Sequence, residues 1–372
     1  MTKDLTTGKI MPLLVNFTIP LVLGNLFQLT YNAVDSIIVG HFVGKGALAA
    51  VGICNPITTL MILFLNGLCM GASILMGMQY GAKNYDTLER QISTTLLSGV
   101  VFSLLLTAGC VAFAEPILHL LQVDASIFGM TQSYLRIIFV GMVFTFLYNF
   151  FASTLRALGD SSSPLYFLII SAVLNIFGDL FFVVVLKAGS NGCAVSTVLS
   201  EALCSLLCVI YIQKKVPILR LGKKWLVFDA GLLKRTIAYG WASAMQQATV
   251  QLGKIGIQAI VNTMGVPVAA AFAVVNRIDD FAYTPEQNIA HAMTALMAQN
   301  KGAGEKKRMR EGFRCGVILE IIYGICIFLV CYLLARPLML LFVKDEEVIG
   351  HGVIYLRLIS VMYVIPALTN GL

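Results

Sequence analysis

The chain has 372 residues, 58% of them hydrophobic and only 12% charged, with a formal net charge of +7. Soluble domains are about half apolar and about a quarter charged, so this composition excludes an ordinary water-soluble domain, and the basic residues point to a membrane rather than to nucleic acid. The nine cysteines lie mostly inside apolar stretches without a CxxC pair, which excludes a zinc or disulfide framework and indicates small buried side chains.

Ten apolar segments follow one another along the chain and predict transmembrane helices. Each is about 20 residues or longer, enough for a helix that rises about 1.5 Å per residue to cross a hydrocarbon core about 30 Å thick. In chain order the predicted spans are 10–39, 46–78, 91–113, 127–150, 164–187, 192–212, 233–262, 267–298, 312–335 and 347–372. The sequence therefore predicts an all-α, multi-pass membrane protein.

The positions of Lys and Arg between these spans predict the orientation of the protein. With a cytoplasmic N-terminus, eighteen of these residues face the cytoplasm and only four, Lys45, Lys187, Arg336 and Lys344, face outward. Cytoplasmic loops carry the excess of basic residues, so a cytoplasmic N-terminus is favoured. The first apolar run contains Asp35 and lacks a small-residue cleavage site, so we expect it to remain as a helix of a plasma-membrane protein.

The second half of the chain repeats the first. A shift of 221 residues without gaps aligns 114–140 with 335–361 at 10 of 27 positions, including a proline, an aspartate, a glycine and the run Tyr134-Leu135-Arg136. Agreement at such residues, rather than at Leu and Val alone, predicts an internal duplication. Each copy would hold six helices, an even number, so both copies would enter the membrane in the same sense.

The duplication divides the chain into two lobes and a linker. The N-lobe covers 1–212 with helices 1–6, a basic cytoplasmic linker with Lys223 and Lys224 covers 213–232, and the C-lobe covers 233–372 with helices 7–10. The first copy ends near Ile212, so a complete second copy would end 221 residues later, near residue 433. We therefore expect twelve helices in the intact protein, with this chain truncated in the tenth and the C-lobe incomplete.

Polar side chains inside the spans are the candidate functional residues, because ionisable groups are costly in hydrocarbon. Asp35 lies deep in the first span, where Gly24, Gln28, Tyr31 and Asp35 form a stripe on one helical face. Carboxylates that share a proton, or an oxygen cage for Na⁺, would need such an acid. A salt bridge to a neighbouring helix is the structural alternative for Asp35.

The fifth and sixth spans add oxygen ligands at helical spacing. Asn175 and Asp179 are i,i+4 neighbours that project together, and Thr197 and Glu201 share that spacing. Hydrogen bonding that only packs helices together is the alternative for Asn175 and Asp179. Glu201 lies towards the cytoplasmic end of its span, where it could equally belong to a solvated face.

No pattern of catalytic residues accompanies these groups. The four histidines are scattered near helix ends, and the sequence contains no HExxH motif, nucleophile elbow or Gly-rich phosphate loop. The sequence therefore predicts neither an enzyme nor an organic cofactor.

Several short motifs together resemble the multidrug and toxic compound extrusion (MATE) family of bacteria. They are Ile19-Pro20, Val34–Gly40, Gln79–Lys83, the Asn175 and Asp179 pair, Ala194–Thr197 and Gln299–Ala303. The resemblance extends over the whole chain and implies two six-helix lobes around a central cleft. It also implies secondary active efflux of small organic, often cationic, compounds by antiport against Na⁺ or H⁺. By position, the family's N-lobe cation site falls on Asp35, Asn175, Asp179 and Thr197, where Na⁺ could bind.

The seventh span departs from one branch of that family, which carries a glutamate there. This chain has no acid in the span, so coupling by a seventh-span acid is not expected. The candidates for the substrate cleft are Gln28, Tyr31, Gln247, Gln251 and Lys254. As an alternative to this role, Lys254 could pair with an acid of the eighth span: Asp279, Asp280 or Glu286.

Alternating access of the two lobes is the mechanistic hypothesis from the sequence. Pro20 removes a backbone hydrogen bond to Asn16 and can act as a hinge of the first span, although a static kink would explain the same residue. A lipid or lipid-linked oligosaccharide flippase, supported by Lys254 and Arg277, is the alternative within transport. A channel or a membrane signalling protein is the alternative outside it. We expect a monomer that contacts membrane lipids and binds no nucleic acid.

Overall fold

The computed structural model describes residues 4–220, 222 and 226–365. Within these residues the chain forms eleven α-helices and no β-strand, which confirms the all-α prediction. The helices are α1 (Ile10–Ile38), α2 (Lys45–Gly81), α3 (Tyr85–Leu120), α4 (Ala125–Ala157), α5 (Ser162–Leu180), α6 (Gly189–Lys215), α7 (Ala230–Asn262), α8 (Val266–Gly302), α9 (Lys306–Leu333), α10 (Ala335–Leu340) and α11 (Glu346–Ser360). Lys223 and Lys224 of the predicted linker, and 366–372 of the tenth predicted span, lie outside the described residues.

Capping residues explain why several helices begin before their apolar runs. The side chain of Asn84 accepts a hydrogen bond from the backbone N–H of Thr87 at the start of α3, and Asp124 accepts one from Ser126 at the start of α4. Asp229 caps α7 in the same way. Such acceptors satisfy N–H groups that the first helical turn leaves free. The helices therefore extend beyond the apolar segments from which they are predicted.

The short helix α10 is not among the predicted spans. The helix α9 ends at Leu333, and a break at Leu334 separates it from α10, which contains Pro337. The residue 221 positions earlier, Pro116, lies inside the unbroken helix α3. Pro337 stands in the first turn of α10, where its missing N–H removes no intrahelical hydrogen bond. The predicted span 312–335 thus ends in a break rather than in a continuous helix.

Seven helical segments of the described chain are long and apolar enough to cross a membrane. They are Ile10–Val43, Lys45–Gly81, Tyr85–Leu120, Ala125–Ala157, Ser162–Val185, Gly189–Lys215 and Lys306–Leu333. The helices α7 and α8 are as long but more polar, because they carry residues such as Lys254 and Asp279. Large apolar side chains such as Leu105 and Phe177 are exposed, as expected of helices that face lipid. The protein is therefore a multi-span membrane protein.

Three apolar clusters hold the helices together. The largest lies among α1–α6 around buried residues such as Phe146, and a second lies among α8–α11 around Ile349. The third joins α1 to α8 and α9, with Leu14 and Met293 among its buried members. The helix α1 therefore packs against helices of both halves of the chain.

The helices α2 and α8 approach so closely that their glycines contact the opposite backbone. A β-carbon on Gly81 would lie 1.9 Å from the carbonyl oxygen of Gln299, and one on Gly302 would lie 1.8 Å from that of Met78. Only a residue without a side chain fits such an approach. A shift of 221 residues aligns Gly81 with Gly302 and Met78 with Gln299, so the two contacts are equivalent. They form a symmetrical junction between the two halves.

Candidate functional site

A polar cavity of about 420 Å³ lies among α1, α2 and α4–α8. Nine amide side chains contribute to its wall: Asn25, Gln28, Asn32, Asn66, Asn149, Asn175, Gln247, Gln287 and Asn288. The amide nitrogen of Asn25 donates to Asn288 Oδ1 at 3.1 Å, which joins α1 to α8 across the wall. Uncharged donors and acceptors of this kind can orient an organic molecule without a fixed ionic partner.

The side chains of Arg156, Glu201 and His291 also line the cavity. The carboxylate of Glu201 accepts a hydrogen bond from the hydroxyl of Thr145 in α4. Glu201 therefore faces the cavity. Arg156, one of the eighteen basic residues assigned to the cytoplasmic side, lies in the last turn of α4 and lines the same wall.

The predicted cleft residues fall into two groups. Gln28, Tyr31 and Gln247 line the cavity. Gln251, one turn beyond Gln247 in α7, and Lys254 are not among the lining residues. The apolar and amide pattern of a single helix predicts a polar face, but the neighbouring helices determine how far along that face the cavity extends.

Lys254 pairs with two acids of α8. Its Nζ atom lies 3.3 Å from Asp280 Oδ1 and 3.8 Å from Asp279 Oδ2. Of the two hypotheses for Lys254, pairing with the eighth predicted span is therefore the one that describes the structure. Glu286, the third acid considered as its partner, forms no hydrogen bond within the described chain.

The predicted cation site brings Asp35 of α1 opposite Asp179 of α5, and the two carboxyl groups lie within interaction distance. Asp179 is completely buried, and neither of its carboxylate oxygens has hydrogen-bond geometry to a described residue. The Oδ1 atom of Asp35 is also buried without a partner there. Two ionised carboxylates in such surroundings repel each other and lack solvation, so the pair requires a proton or a cation.

Asn175, one helical turn before Asp179, and Thr197 of α6 supply neutral oxygen atoms. Asn175 Nδ2 donates to Ser196 Oγ at 3.3 Å, while Asn175 Oδ1 is buried with no partner in the described part of the chain. Thr197 Oγ1 donates to the carbonyl oxygen of Cys193 at 2.9 Å, which leaves its lone pairs available. Both residues also line the cavity, so the acid pair and the cavity share a wall.

Ser196 belongs to this cluster but is not identified from the sequence. Its hydroxyl donates to the carbonyl oxygen of Asn175 at 2.9 Å and lies close to Asp179. Gly178 permits this approach, because a β-carbon there would lie 2.5 Å from Ser196 Oγ. A serine beside Thr197 carries no signal of its own, but a glycine next to a buried acid is typical of close helix contacts and could have drawn attention to the partner helix.

Both helices that carry the acids continue into a π-helical turn. The helix α1 is followed by Val39–Val43 and α5 by Phe181–Val185, and these two turns contact each other. The turns begin within about one helical turn after Asp35 and Asp179. Such turns are frequent at functional sites because they alter the direction of side chains. Here the contact between the two turns places the ends of α1 and α5 side by side.

Asp160 fixes the loop between α4 and α5. Its Oδ1 atom accepts from the backbone N–H of Ser163 at 2.9 Å, and Oδ2 accepts from the hydroxyls of Ser163 at 2.7 Å and of Tyr211 at 2.9 Å. Burial acts to raise the pKa of Asp160, but these hydrogen bonds to the charged form outweigh it and hold the pKa below its ordinary value. The start of α5 is thereby tied to α6.

Apolar helices around a polar cavity, with unpaired acids buried beside it, are the architecture of a membrane transporter. The model of the MatE family matches residues 20–181 and 242–371, which together make up most of the chain. The chain therefore belongs to the MatE family, which consists of membrane transporters rather than enzymes.

Two relatives from Bacillus subtilis strain 168 match nearly the whole chain. "Probable multidrug resistance protein YoeA" is 32% identical over 355 residues, which cover 92% of this chain and 76% of that protein. "Probable multidrug resistance protein YpnP" is 30% identical over 363 residues, which cover 97% of this chain and 80% of that protein.

Solved structures share the fold. A crystal structure of MATE in complex with MaD3S has a TM-score of 0.92 at 20% identity and covers 99% of this chain and 82% of that one. A transporter of the MOP superfamily from Pyrococcus furiosus Vc1, whose binding pocket is described as having reverse polarity, has a TM-score of 0.90 at 21% identity and covers 99% of this chain and 84% of that one. At these identities the likeness establishes the architecture.

Proposed function

We propose that the protein exports small organic compounds by antiport against a cation, Na⁺ or H⁺, through alternating access. The observation that carries the proposal is the facing pair of Asp35 and Asp179 beside a polar cavity, in which Asp179 and the Oδ1 atom of Asp35 are buried without a hydrogen-bond donor among the described residues. The Bacillus relatives are named as multidrug resistance proteins, which supports small substrates of varied structure.

In this mechanism Asp35 and Asp179 bind the cation, and Asn175 and Thr197 supply neutral oxygen ligands. The free oxygen atoms of Asn175 and Asp179 fit this role, because a buried polar atom without a partner is stabilised by an incoming ion or proton. One elementary charge that crosses the membrane inward contributes about 2.3 kcal/mol per 100 mV. This energy can shift the protein between its inward-open and outward-open states if the cation prefers one of them.

The substrate occupies the amide-rich cavity. Gln28, Tyr31 and Gln247 contact it from α1 and α7, and Glu201 provides a carboxylate for substrates that carry a positive charge. Because Asn175 and Thr197 line the cavity and also lie near the acid pair, a bound substrate and a bound cation influence each other through shared residues. Competition of this kind is the basis of antiport.

The proposal includes two lobes related by duplication, at 1–212 and 233–372, and an N-terminus in the cytoplasm. The family model matches twice, from residues 20 and 242, a spacing within one residue of the 221-residue repeat, which supports the duplication. The exchanged contacts of Gly81 and Gly302 support it independently. The excess of Lys and Arg on one side of the predicted spans supports the orientation.

A flippase for lipids or lipid-linked oligosaccharides would need a more cationic cleft, which the sequence suggests through Lys254 and Arg277. Lys254 is paired with Asp280, and neither Lys254 nor Arg277 is among the residues that line the cavity. The two residues that favour a flippase therefore add no positive charge to the wall. Efflux of small compounds is the function supported best.

Replacing Asp35 by asparagine tests the cation site. The amide keeps the size of the side chain but cannot gain or lose a proton, so we expect gradient-driven efflux to fall by roughly tenfold or more while the protein still folds. Efflux of a fluorescent organic cation from proteoliposomes with an imposed ion gradient measures the effect. Asp86→Asn, at an exposed aspartate of α3, is the control. Normal efflux by folded Asp35→Asn would refute the assignment.

A further inference from the structure

Two glutamates outside the acid pair described above are completely buried. Glu286 of α8 and Glu320 of α9 each have 0% exposure. None of their four carboxylate oxygens has a hydrogen-bond partner among the residues that the structure describes. Neither residue lines the cavity, and the proposed cation site does not use them. A buried carboxylate without a hydrogen bond or counter-charge is strongly unfavourable in its ionised form.

The packing of α8 against α9 brings the two glutamates to the same level. Gly316 of α9 lies against Met293 of α8, because a β-carbon on Gly316 would lie 2.2 Å from Met293 Sδ. This contact fixes how the two helices align before Glu320 in α9. On the other side, the hydroxyl of Tyr323 donates to the carbonyl oxygen of Ala282 at 2.8 Å. Glu320 lies between Gly316 and Tyr323 on α9, and Glu286 lies between Ala282 and Met293 on α8. The two carboxyl groups are near enough to act on each other electrostatically.

Four cations on α7 and α9–α11 are engaged with other residues, and Arg277 of α8 and Arg314 of α9 are exposed. Lys254 of α7 is held by Asp279 and Asp280. From the last described elements, Arg357 of α11 donates to the carbonyl oxygen of Tyr332 and lies over its ring, and Arg336 of α10 pairs with Glu346. Arg308, at the start of α9, donates to Asn300, Leu5 and Gly8. No described salt bridge reaches Glu286 or Glu320.

The remaining groups that face the two glutamates are acidic or neutral. Asp279, two helical turns before Glu286, acts on it electrostatically, and Tyr323 is close to it on α9. The helix α1 packs against both α8 and α9, and it has no charged residue before Asp35. The hydroxyl of Thr18 in that helix is buried and also lacks a partner in the described structure. Ionisation of both glutamates would therefore place two negative charges together without compensation.

We propose that Glu286 and Glu320 form a second proton-binding pair, in the C-lobe, that shares one exchangeable proton and is distinct from Asp35 and Asp179. The inference deepens the proposed antiport and rests on it. The chemistry is a reversible transfer of one proton from water to a carboxylate oxygen, with no other bond formed or broken. A proton requires only one of the carboxylate oxygens, whereas hard metal ions such as Ca²⁺ and Mg²⁺ take about six or more oxygen ligands.

The position of Glu286 links this pair to the cavity. Its neighbours in α8, Gln287 and Asn288, line the cavity, and Pro285 interrupts the helical hydrogen bonding directly before it. A helix without that bond can change direction locally at low cost. A change in the charge of Glu286 is therefore expected to move the wall of the cavity at Gln287 and Asn288.

The test measures protons directly in the purified protein. Infrared difference spectra in the carboxylic C=O stretching region, recorded before and after addition of a fluorescent organic cation, detect acids that gain or lose a proton. We expect one band to disappear in both Glu286→Gln and Glu320→Gln, because the two residues share the proton. The same band should persist in Asp35→Asn and Asp179→Asn. Glu347→Gln, at an exposed glutamate of α11, serves as the matched control.

A second measurement counts protons by pH indicator in weak buffer. Each glutamine variant should release about one proton fewer per bound substrate than the parent, because the proton shared by the two glutamates is no longer exchanged. If both variants fold and keep the parental band and proton count, the glutamates are permanently protonated packing residues and the proposal is wrong. If the parent shows this band but transports no substrate against an ion gradient, the antiport proposal fails while the proton pair stands.

Discussion

Buried acids without hydrogen bonds distinguish this protein at the scale of single residues. Asp179, Glu286 and Glu320 are each fully buried, and none of their carboxylate oxygens has hydrogen-bond geometry to a described residue. A structural role alone would favour apolar side chains of similar size at such positions. Acids are retained there when a change in their charge is useful, which is why both acid pairs are assigned to proton or cation exchange.

Asp160 shows the opposite behaviour, because its charge is satisfied by three hydrogen bonds. The pKa of Asp160 in the folded protein lies below the ordinary value of an aspartate. Its charge therefore stabilises the fold at any pH above that ordinary value. This stabilisation is lost as the pH falls through the pKa of the folded protein.

We therefore expect Asp160→Asn to lower the melting temperature of the detergent-solubilised protein at neutral pH, with the difference from the parent shrinking in acid. Thermal unfolding scans across pH measure this. The exposed Asp86→Asn variant is the control for a general effect of charge. A pH-independent difference for Asp160→Asn would mean that the charge of Asp160 makes no contribution.

Residue-level prediction from the sequence succeeds where one helix contains the whole pattern. Asn175 and Asp179 project together because their spacing is four residues, and this can be read without the structure. The approach of Ser196 to Asn175, and of Glu286 to Glu320, depends on the register between two helices. That register is set by contacts such as Gly178 with Ser196 and Gly316 with Met293, which a single sequence does not specify.

At the scale of elements, the apolar pattern predicts where helices exist but not how they end or break. Each predicted span overlaps a helix of the described chain, the tenth only through α11, because the number of apolar residues needed to cross the bilayer is a strong signal. The π-helical turns after α1 and α5 and the break before α10 are not predicted. They arise from local hydrogen bonding at helix ends, where hydrophobic periodicity carries no information.

The glycine junction between α2 and α8 gives a prediction at this scale. A β-carbon at Gly81 would lie 1.9 Å from the carbonyl oxygen of Gln299, so Gly81→Ala must push the two backbones apart. We expect a destabilisation of about 1–3 kcal/mol, as is usual for overpacking, and a similar effect for Gly302→Ala.

The melting temperature of the purified protein measures the effect of this change. Gly52→Ala in the same helix is the matched control, because nothing lies within 4 Å of a β-carbon there. An alanine in a helix is intrinsically favoured over glycine, so the control should be neutral or slightly stabilised. If Gly81→Ala behaves like the control, the close approach of α2 and α8 does not contribute to stability.

At the scale of the whole molecule, the polar cavity lies where helices of both halves meet. Helices α1, α2 and α4–α6 form one side of its wall, and α7 and α8 form the other. In the proposed mechanism a substrate bound there would contact both halves, so movement of one half against the other would change its access to either side of the membrane. The sequence indicates the two halves through the repeat, whereas the amide-rich lining requires the assembled fold.

The most direct test of the central claim is substrate efflux from proteoliposomes with separately imposed gradients. A fluorescent organic cation is loaded, and an inward Na⁺ gradient, an inward proton gradient or no gradient is applied to the parent protein. The account predicts that one of the two gradients accelerates efflux and that Asp35→Asn abolishes the acceleration. Efflux at the same rate under all three conditions would contradict cation antiport.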